Sequence, residues 1–496
     1  MLSCSKNPSG VKFLLDVCGM RGQAGPDNMK VKKGDGSAMT NTEEHISSDE
    51  ERTDQTKTPP PVEFPPEPSS PDDTGLSRSL LNQLLTKALY VSSELTELSV
   101  GRLLKLPYSI VRELLTALVK EKLCEVKGPS DSSGILFRYA LTGFGMTRAQ
   151  EYMEVSTYVG PAPVPLSQFE AMVHRQSMSN LTITRAMFEK AISHLVLTPQ
   201  VCAQLGGAVN SGTPIFLYGE SGNGKTVIAE TIGELLSSEG GGEILFPYAV
   251  EVDDQIIEVY DPAIHTAVEF IDNSDTSSGQ AALKSKHDTR WILCRRPTVF
   301  TGGELTLPML DLTFNPISRF YAAPPQVKAS GGVFIIDDFG RQNAPPQALL
   351  NRWIVPLEKR VDYLTLHTGK KFRIPFDTLV VICTNIEPRT LADEAFLRRM
   401  RNKVYIGDPS LESYTEIFKR YCEKKGIPFE PRAIDCLYQQ HYAKNEIAPR
   451  SCHPRDLIEQ ILSVAKFYEI PPSLEPWFLD RACENYLLIS SKETKA

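Results

Sequence analysis

No apolar run in this sequence approaches the ~18 residues that cross a bilayer as a helix, so membrane insertion is not expected. The early candidate at residues 11–17 is broken by Lys12 and Asp16 and lacks a secretion-signal cleavage pattern. Paired cysteines are missing as well. Ten cysteines lie far apart, with no CxxC pair and no metal-ligand spacing, which suits free or buried thiols in a reducing cytoplasm. Cys452-His453 has no partner motif and reads as structural. There is no surplus of positive charge: 53 Lys and Arg against 61 Asp and Glu leave a net −8. A coat for unspecific nucleic-acid binding is thereby excluded, although a local basic patch stays open. Internal repeats are absent too. What is left is a globular composition, 41% hydrophobic and 23% charged, in 496 residues with room for two or three domains.

The chain divides by composition. Residues 1–75 carry Pro-rich pieces, Ser and Asp clusters, and 8 basic against 13 acidic residues. They bury too little apolar surface to offset chain entropy, so a disordered tail is expected. Residues 76–157 open with Leu80, Leu81, Leu84, Leu85 and Leu89 at helical spacing. A second helix fits residues 99–105. A third follows Pro107 with Ser109 as cap, burying Val111, Leu114, Leu115 and Leu118. A two-stranded ribbon and a last helix complete a pattern that resembles a winged helix-turn-helix domain. Its third helix would enter a major groove. Yet residues 76–160 hold 10 basic and 8 acidic residues, a weak footprint for phosphate. DNA binding and protein docking are equally open uses. Residues 158–180 read as a Pro-rich linker, residues 181–408 as alternating strands and helices of a parallel α/β sheet, and residues 409–496 as helices alone.

The chemistry concentrates in Gly219-Glu220-Ser221-Gly222-Asn223-Gly224-Lys225-Thr226, a complete Walker A pattern. An apolar strand at residues 215–218 runs in and a helical stretch runs out. Glycines let backbone N–H groups form an anion nest at the helix N-terminus. Lys225 is placed for the β/γ-phosphates of ATP and the Thr226 hydroxyl for Mg2+. Downstream, Val333-Phe334-Ile335-Ile336-Asp337-Asp338 delivers two carboxylates from a buried strand. Asp337 reads as the Mg2+ ligand and Asp338 as the residue that orients or deprotonates water.

From these motifs, residues 181–488 resemble the AAA+ ATPases. The resemblance implies a P-loop α/β domain with a C-terminal helical lid, ATP hydrolysis, and a homo-oligomeric ring acting on a macromolecular substrate. It places a sensor at Asn385, with Thr384 as the alternative, and an arginine finger at Arg399, with Arg398 second. It places a lid arginine at Arg455 within Cys452-His453-Pro454-Arg455-Asp456-Leu457. Two features depart from the family pattern. Asp338 stands where Glu is usual, which weakens its assignment as base, and 110 residues separate Thr226 from Asp337. Within that insert Phe300-Thr301-Gly302 resembles the substrate loop of enhancer-binding activators in the helix-2-insert branch. Residues 362–374 read as a hairpin before the sensor strand, a layout similar to MoxR-type ATPases.

Three further readings follow from the same residues. One is an ATP-dependent transcription regulator binding DNA through the winged helix. Another is a switch that binds ATP without hydrolysing it, suggested by Asp338. The third, a P-loop kinase or GTPase, conflicts with the layout of Asp337, Asp338, Asn385 and Arg455.

Overall fold

Leu80, Leu81, Leu84, Leu85 and Leu89 form the buried stripe of the first helix, Arg78–Ser92, as their spacing predicts. Ser77 caps it by accepting from the Leu80 amide at 3.1 Å. The computed structural model describes residues 62–129, 136–238, 240–269, 287–391 and 394–487, all within one compact unit, Thr58–Ala496. The second helix, Glu97–Leu104, is capped by Thr96. The third, Tyr108–Lys120, follows Pro107 directly and has no side-chain cap, so Ser109 lies inside it. Strands Cys124–Pro129 and Phe137–Leu141 pair antiparallel as the ribbon predicts, and Glu94–Thr96 adds a third strand on the outer side of Phe137–Leu141. The Ser/Gly turn at 130–135 lies outside the described residues. Helix Gly143–Val155 completes the unit.

Two boundaries differ from the sequence reading. Residues 62–75 do not belong to a structureless tail. Val62 and Phe64 pack on the α/β body, Asp288 N–H donates to the Pro65 carbonyl at 2.9 Å, and Thr74 is buried. A buried ion pair explains the attachment. Arg290 and Asp288 meet at 2.7 Å with 1% and 4% side-chain exposure. A guanidinium so deep needs further acceptors; Arg290 Nη1 finds the carbonyls of Thr74 at 2.9 Å and Pro163 at 3.1 Å. The expected tail at residues 1–61 lies outside the described residues. The expected linker at 158–180 is likewise woven into the fold. Val164–Pro165 pairs as an edge strand with Ala249–Val252, a place where proline costs no ladder bond. Helix Leu166–Arg175 then buries Phe169, Met172 and Val173.

At the centre of the α/β body is a parallel five-stranded sheet. Its strands are β1 (Ile215–Tyr218), β2 (Thr298–Thr301), β3 (Val333–Ile336), β4 (Leu379–Thr384) and β5 (Asn402–Tyr405), in the order β2-β3-β4-β1-β5. Every residue of β3 and β4 is buried, which their unbroken apolar runs foreshadow. Helix α1 (Lys225–Ser237) covers one face, and α2 (Pro346–Lys359) with α3 (Glu394–Arg399) covers the other. Phe300 and Thr301 belong to edge strand β2 and pair with Ile335 and Ile336, so the resemblance of this stretch to a substrate loop is overturned. The predicted strand at 244–252 is two strands, Glu243–Pro247 and Ala249–Val252, in different sheets. They and their neighbours account for much of the long insert. The hairpin Val361–Thr365 with Lys371–Pro375 forms as predicted, with Gly369 at φ 84 in its turn. After Pro409 the described residues contain only helical elements, chiefly α4 (Leu411–Lys425), α5 (His453–Tyr468) and α6 (Pro476–Tyr486), around their own core. The fold class is α/β: a P-loop sheet with a helical C-terminal lid.

One buried charge stands apart. Lys87 is 2% exposed, donates to the Ser156 carbonyl at 3.0 Å, and is pushed down by burial to about 8. The unfolded chain holds this proton up to about 10.5, so stability rises with pH between those two values. Lys87→Met removes the penalty and is expected to stabilise the protein at pH 7 by roughly 2–3 kcal/mol. The advantage over wild type should shrink above pH 8 and vanish near pH 10.5, as read from paired urea melts.

Candidate active site

Gly219, Gly222 and Gly224 take φ values of 135, 85 and 84, which turns the loop after β1 inward on itself. A Cβ on Gly219 would lie 2.2 Å from the Ile406 carbonyl oxygen, and one on Gly222 would lie 2.7 Å from Cys452 Sγ. Lys225 opens α1 and is 6% exposed. Its ammonium donates to the carbonyls of Gly219 at 2.9 Å and Glu220 at 2.8 Å. Burial lowers its pKa, with the Asp337 and Asp338 carboxylates opposing that shift. A desolvated cation beside an anion nest is suited to phosphate.

The acids arrive from two strands away. Thr226 Oγ1 donates to the Asp337 carboxylate at 2.9 and 3.1 Å, across the end of β4. Asp337 N–H is anchored on the Thr301 carbonyl of β2 at 2.8 Å. Asp338 sits in the left-handed region at φ 47 and accepts from Asn385 Nδ2 at 3.3 Å. Thr384, the alternative sensor, is buried and spends its hydroxyl on the Phe339 carbonyl at 2.6 Å. The polar tip at the mouth of the site is therefore Asn385. Gln342 was missed by sequence reasoning. Its Nε2 donates to the carbonyls of Asp337 at 3.0 Å and Asp338 at 3.3 Å, and its Oε1 accepts from Gly340, so it cages the acid turn. No motif marks it.

The arginines fall differently. Arg399 is paired with Glu358 of α2 at 2.9 Å and its side chain is 19% exposed, while Arg398 is exposed. Arg455 bonds its own helix neighbour Asp456 at 2.8 Å and is 51% exposed. The lid arginine that touches the Walker A loop is instead Arg450, which pairs with Asp408 and lies 3.7 Å from Glu220. Asn223 is held between body and lid. It donates to Asp408 at 2.8 Å and accepts from Ser451 N–H at 3.2 Å. Cys452 N–H donates to the Gly222 carbonyl at 2.9 Å. The sequence carried no signal for Arg450, because its partners lie some 40 and 230 positions upstream.

A family model described as a domain of unknown function (DUF8689) matches residues 410–485, within the helical lid. No curated protein matches the sequence. Among solved structures, NtrX from Brucella abortus in complex with ADP is similar at 15% identity over 56% of this chain, with a TM-score of 0.33. The match spans 53% of the NtrX chain, about half its length. A RuvB mutant from Thermotoga maritima is similar at 13% identity, covering 62% of this chain and 72% of its own, with a TM-score of 0.32. Domain III of the replication initiation protein DnaA from Thermotoga maritima is similar at 13% identity, covering 60% and 97%, also at 0.32. Likenesses at these TM-scores carry no argument about chemistry, which rests on the site itself.

Chemically, the site offers an anion nest, a desolvated ammonium, and two hard oxygen donors, Thr226 and Asp337, at one point. That donor set fits Mg2+, which keeps most of its shell for water and phosphate oxygens. Among the described residues no group of three or more His, Cys, Asp or Glu side chains gathers for a metal.

The loop geometry is testable without nucleotide. Gly219→Ala places a methyl on the Ile406 carbonyl in a backbone region only glycine occupies easily. A loss of more than about 2 kcal/mol in a denaturant melt is expected. An unchanged midpoint would show that the loop relaxes away from β5.

Proposed function

We propose that this chain is an AAA+-type ATPase that hydrolyses ATP with Mg2+ and uses the cycle to remodel a macromolecular partner. The meeting of the Thr226 hydroxyl and the Asp337 carboxylate at 2.9 Å supports it best, because it joins the Walker A helix to the acid strand at one point. Backbone N–H groups of residues 219–224 and Lys225 bind the phosphates. Thr226 and Asp337 hold Mg2+, which when bound neutralises charge on the β/γ-phosphates. Water forms the new bond to the γ-phosphorus, the bond to the bridging oxygen breaks, and ADP leaves. Asp338 accepts the water's proton, and Asn385, bonded to Asp338, orients the water. Positioning and fixed charge do the catalytic work.

Ring assembly is part of the proposal. A head-to-tail interface would bring Arg399 of one subunit to the γ-phosphate of the next, and such interfaces close into rings. Arg399 must then exchange Glu358 for phosphate. The small N-terminal unit we read as a winged helix used for protein docking rather than for DNA. Half of its exposed cations are paired with neighbours: Arg78 with Asp72 and Glu113, Lys127 with Glu125, Arg138 with Glu94, Arg148 with Glu151; Arg102, Arg112, Lys120 and Lys122 are exposed outside those pairs, which leaves a weak basic footprint. Phe144 and Met146 on helix Gly143–Val155 are 66% and 52% exposed, an apolar surface suited to a protein partner. A salt-dependent mobility shift with duplex DNA would instead favour the transcription-regulator reading.

Lys225→Ala is expected to lose most ATP affinity in a titration, since the phosphates lose their principal cation. Asp338→Asn should keep Mg-ATP binding and lose steady-state phosphate release, because it removes charge and leaves size. Binding with no phosphate release in wild type would make the chain a non-hydrolysing switch.

A mixing experiment tests the ring. Arg399→Ala and Asp338→Asn should each be nearly inactive alone. Mixed equally, with subunit exchange verified, about a quarter of sites pair an intact acid with an intact finger. Activity should reappear. A mixture as inactive as its parents would count against Arg399 acting in trans, and an active Arg399→Ala protein would move the finger to Arg398.

A further inference from the structure

Asp338 departs from the AAA+ pattern in side chain and from β3 in backbone. Its φ of 47 lies in the left-handed region, which Asp and Asn enter more readily than other residues with a side chain. Such a conformation persists where the surroundings fix it, and it gathers at functional sites. Here the fixing is thorough. The Thr301 carbonyl of β2 accepts from the Asp337 amide at 2.8 Å, and the Cys383 carbonyl of β4 accepts from the Phe339 amide at 2.8 Å. The Thr384 hydroxyl takes the Phe339 carbonyl, and the Arg341 amide closes onto the Asp338 carbonyl at 3.0 Å. Buried Gln342 holds the rest: it donates to the carbonyls of Asp337 and Asp338 and accepts from the Gly340 amide at 2.8 Å. Gly340 has φ 107, and a Cβ there would meet Ile386 Cδ1 at 2.8 Å. A residue continuing β3 would keep the strand's alternation. The reversed φ swings the Cα–Cβ bond out of it, and the Asp338 carboxylate meets Asn385 Nδ2 at 3.3 Å.

Resting on the ATP-hydrolysis reading above, we propose that Gln342 is a positioning residue for the base. It holds Asp338 in the left-handed turn, and that turn supplies the reach that Asp lacks beside the Glu usual at this place. Asp338 is thus matched to its backbone and is not a weakened Glu. Two consequences follow. A longer acid at 338 overshoots the water, and the preference for Asp disappears once Gln342 lets the turn go.

Gln342→Met keeps the volume and removes both donor and acceptor; Asp338→Glu adds the methylene. The two variants and their combination are compared with wild type in the full chain. Turnover gives kcat and KM, titration gives Mg-ATP affinity, and melting temperature reports folding. Each single variant should lose about tenfold or more in kcat with Mg-ATP affinity within about twofold, because a displacement of about an ångström at a reacting group is that costly. Adding Asp338→Glu to Gln342→Met should cost little or restore turnover, so the two losses do not multiply. Wild-type kcat in Gln342→Met overturns the proposal, as does Asp338→Glu turning over at the wild-type rate or faster. Losses that multiply in the combination overturn it too, because the residues then act apart. A joint fall of kcat, affinity and melting temperature in Gln342→Met makes the residue packing only, and the proposal fails. Should Gln342→Met not fold, Gln342→Glu takes its place, keeping the acceptor for Gly340 and removing the donor, with the same outcomes. A wild-type chain that binds Mg-ATP and releases no phosphate is a distinct result, which removes the hydrolysis reading itself.

Discussion

The site depends on a bond that must reach over a strand. Thr226 follows β1 and Asp337 follows β3, with β4 between them, yet the hydroxyl and the carboxylate meet at 2.9 Å. Register makes this possible: Ile336, the last residue of β3, lies level with Ile382 and Phe216, two residues short of the ends of β4 and β1, so the two acids follow β3 within the span of its neighbours. The intervening strand must also end in side chains that stay out of the way. Cys383 is small and tucks its thiol against the Lys225 carbonyl at 3.7 Å; burial raises its pKa, so it stays neutral. Thr384 folds back onto Phe339. A large or charged residue at either position would part the helix from the acids.

Around that point the structure spends hydrogen bonds on holding backbone rather than on presenting charge. Gln342 fixes the carbonyls of both acids, and Thr301 fixes the Asp337 amide. The lid has its own polar anchor behind Arg450. His453 is stacked on Tyr442 and pushed down by burial to about 4, so it is neutral at physiological pH. It serves as a packed acceptor for the Arg450 amide at 3.3 Å. The pairing Cys452-His453, which has no metal partner in the sequence, is thus structural.

What could be read in advance was what lies contiguous along the chain. The Walker A loop, the apolar run before Asp337 and the strand before Asn385 each combine a local pattern with a local cause. The first helix shows its leucine stripe equally well. Other features depend on residues far apart and have no such trace. Arg450 is defined by Asp408 and Glu220, Gln342 by the turn it cages, and Arg399 in this chain by Glu358 on another helix. Proline misled twice, because a proline-rich stretch reads as spacer unless something buried needs its carbonyls. Arg290 has that need at Thr74 and Pro163. The edge strand β2 was missed because its exposed Phe300 and polar Thr301 look like a loop until β3 supplies the ladder.

That same guanidinium has an architectural consequence. The chain enters the small unit just after Thr74 and leaves it just before Pro163, and both carbonyls accept from one nitrogen of Arg290. Departure and return are therefore side by side on the body. Modules with adjoining ends are the ones that tolerate insertion and exchange. The residues between Thr74 and Pro163 therefore form a module with adjoining ends, seated on the body through Ala249 and Ile256, which belong to its core, so a replacement would have to cover those two residues as well as fit the socket.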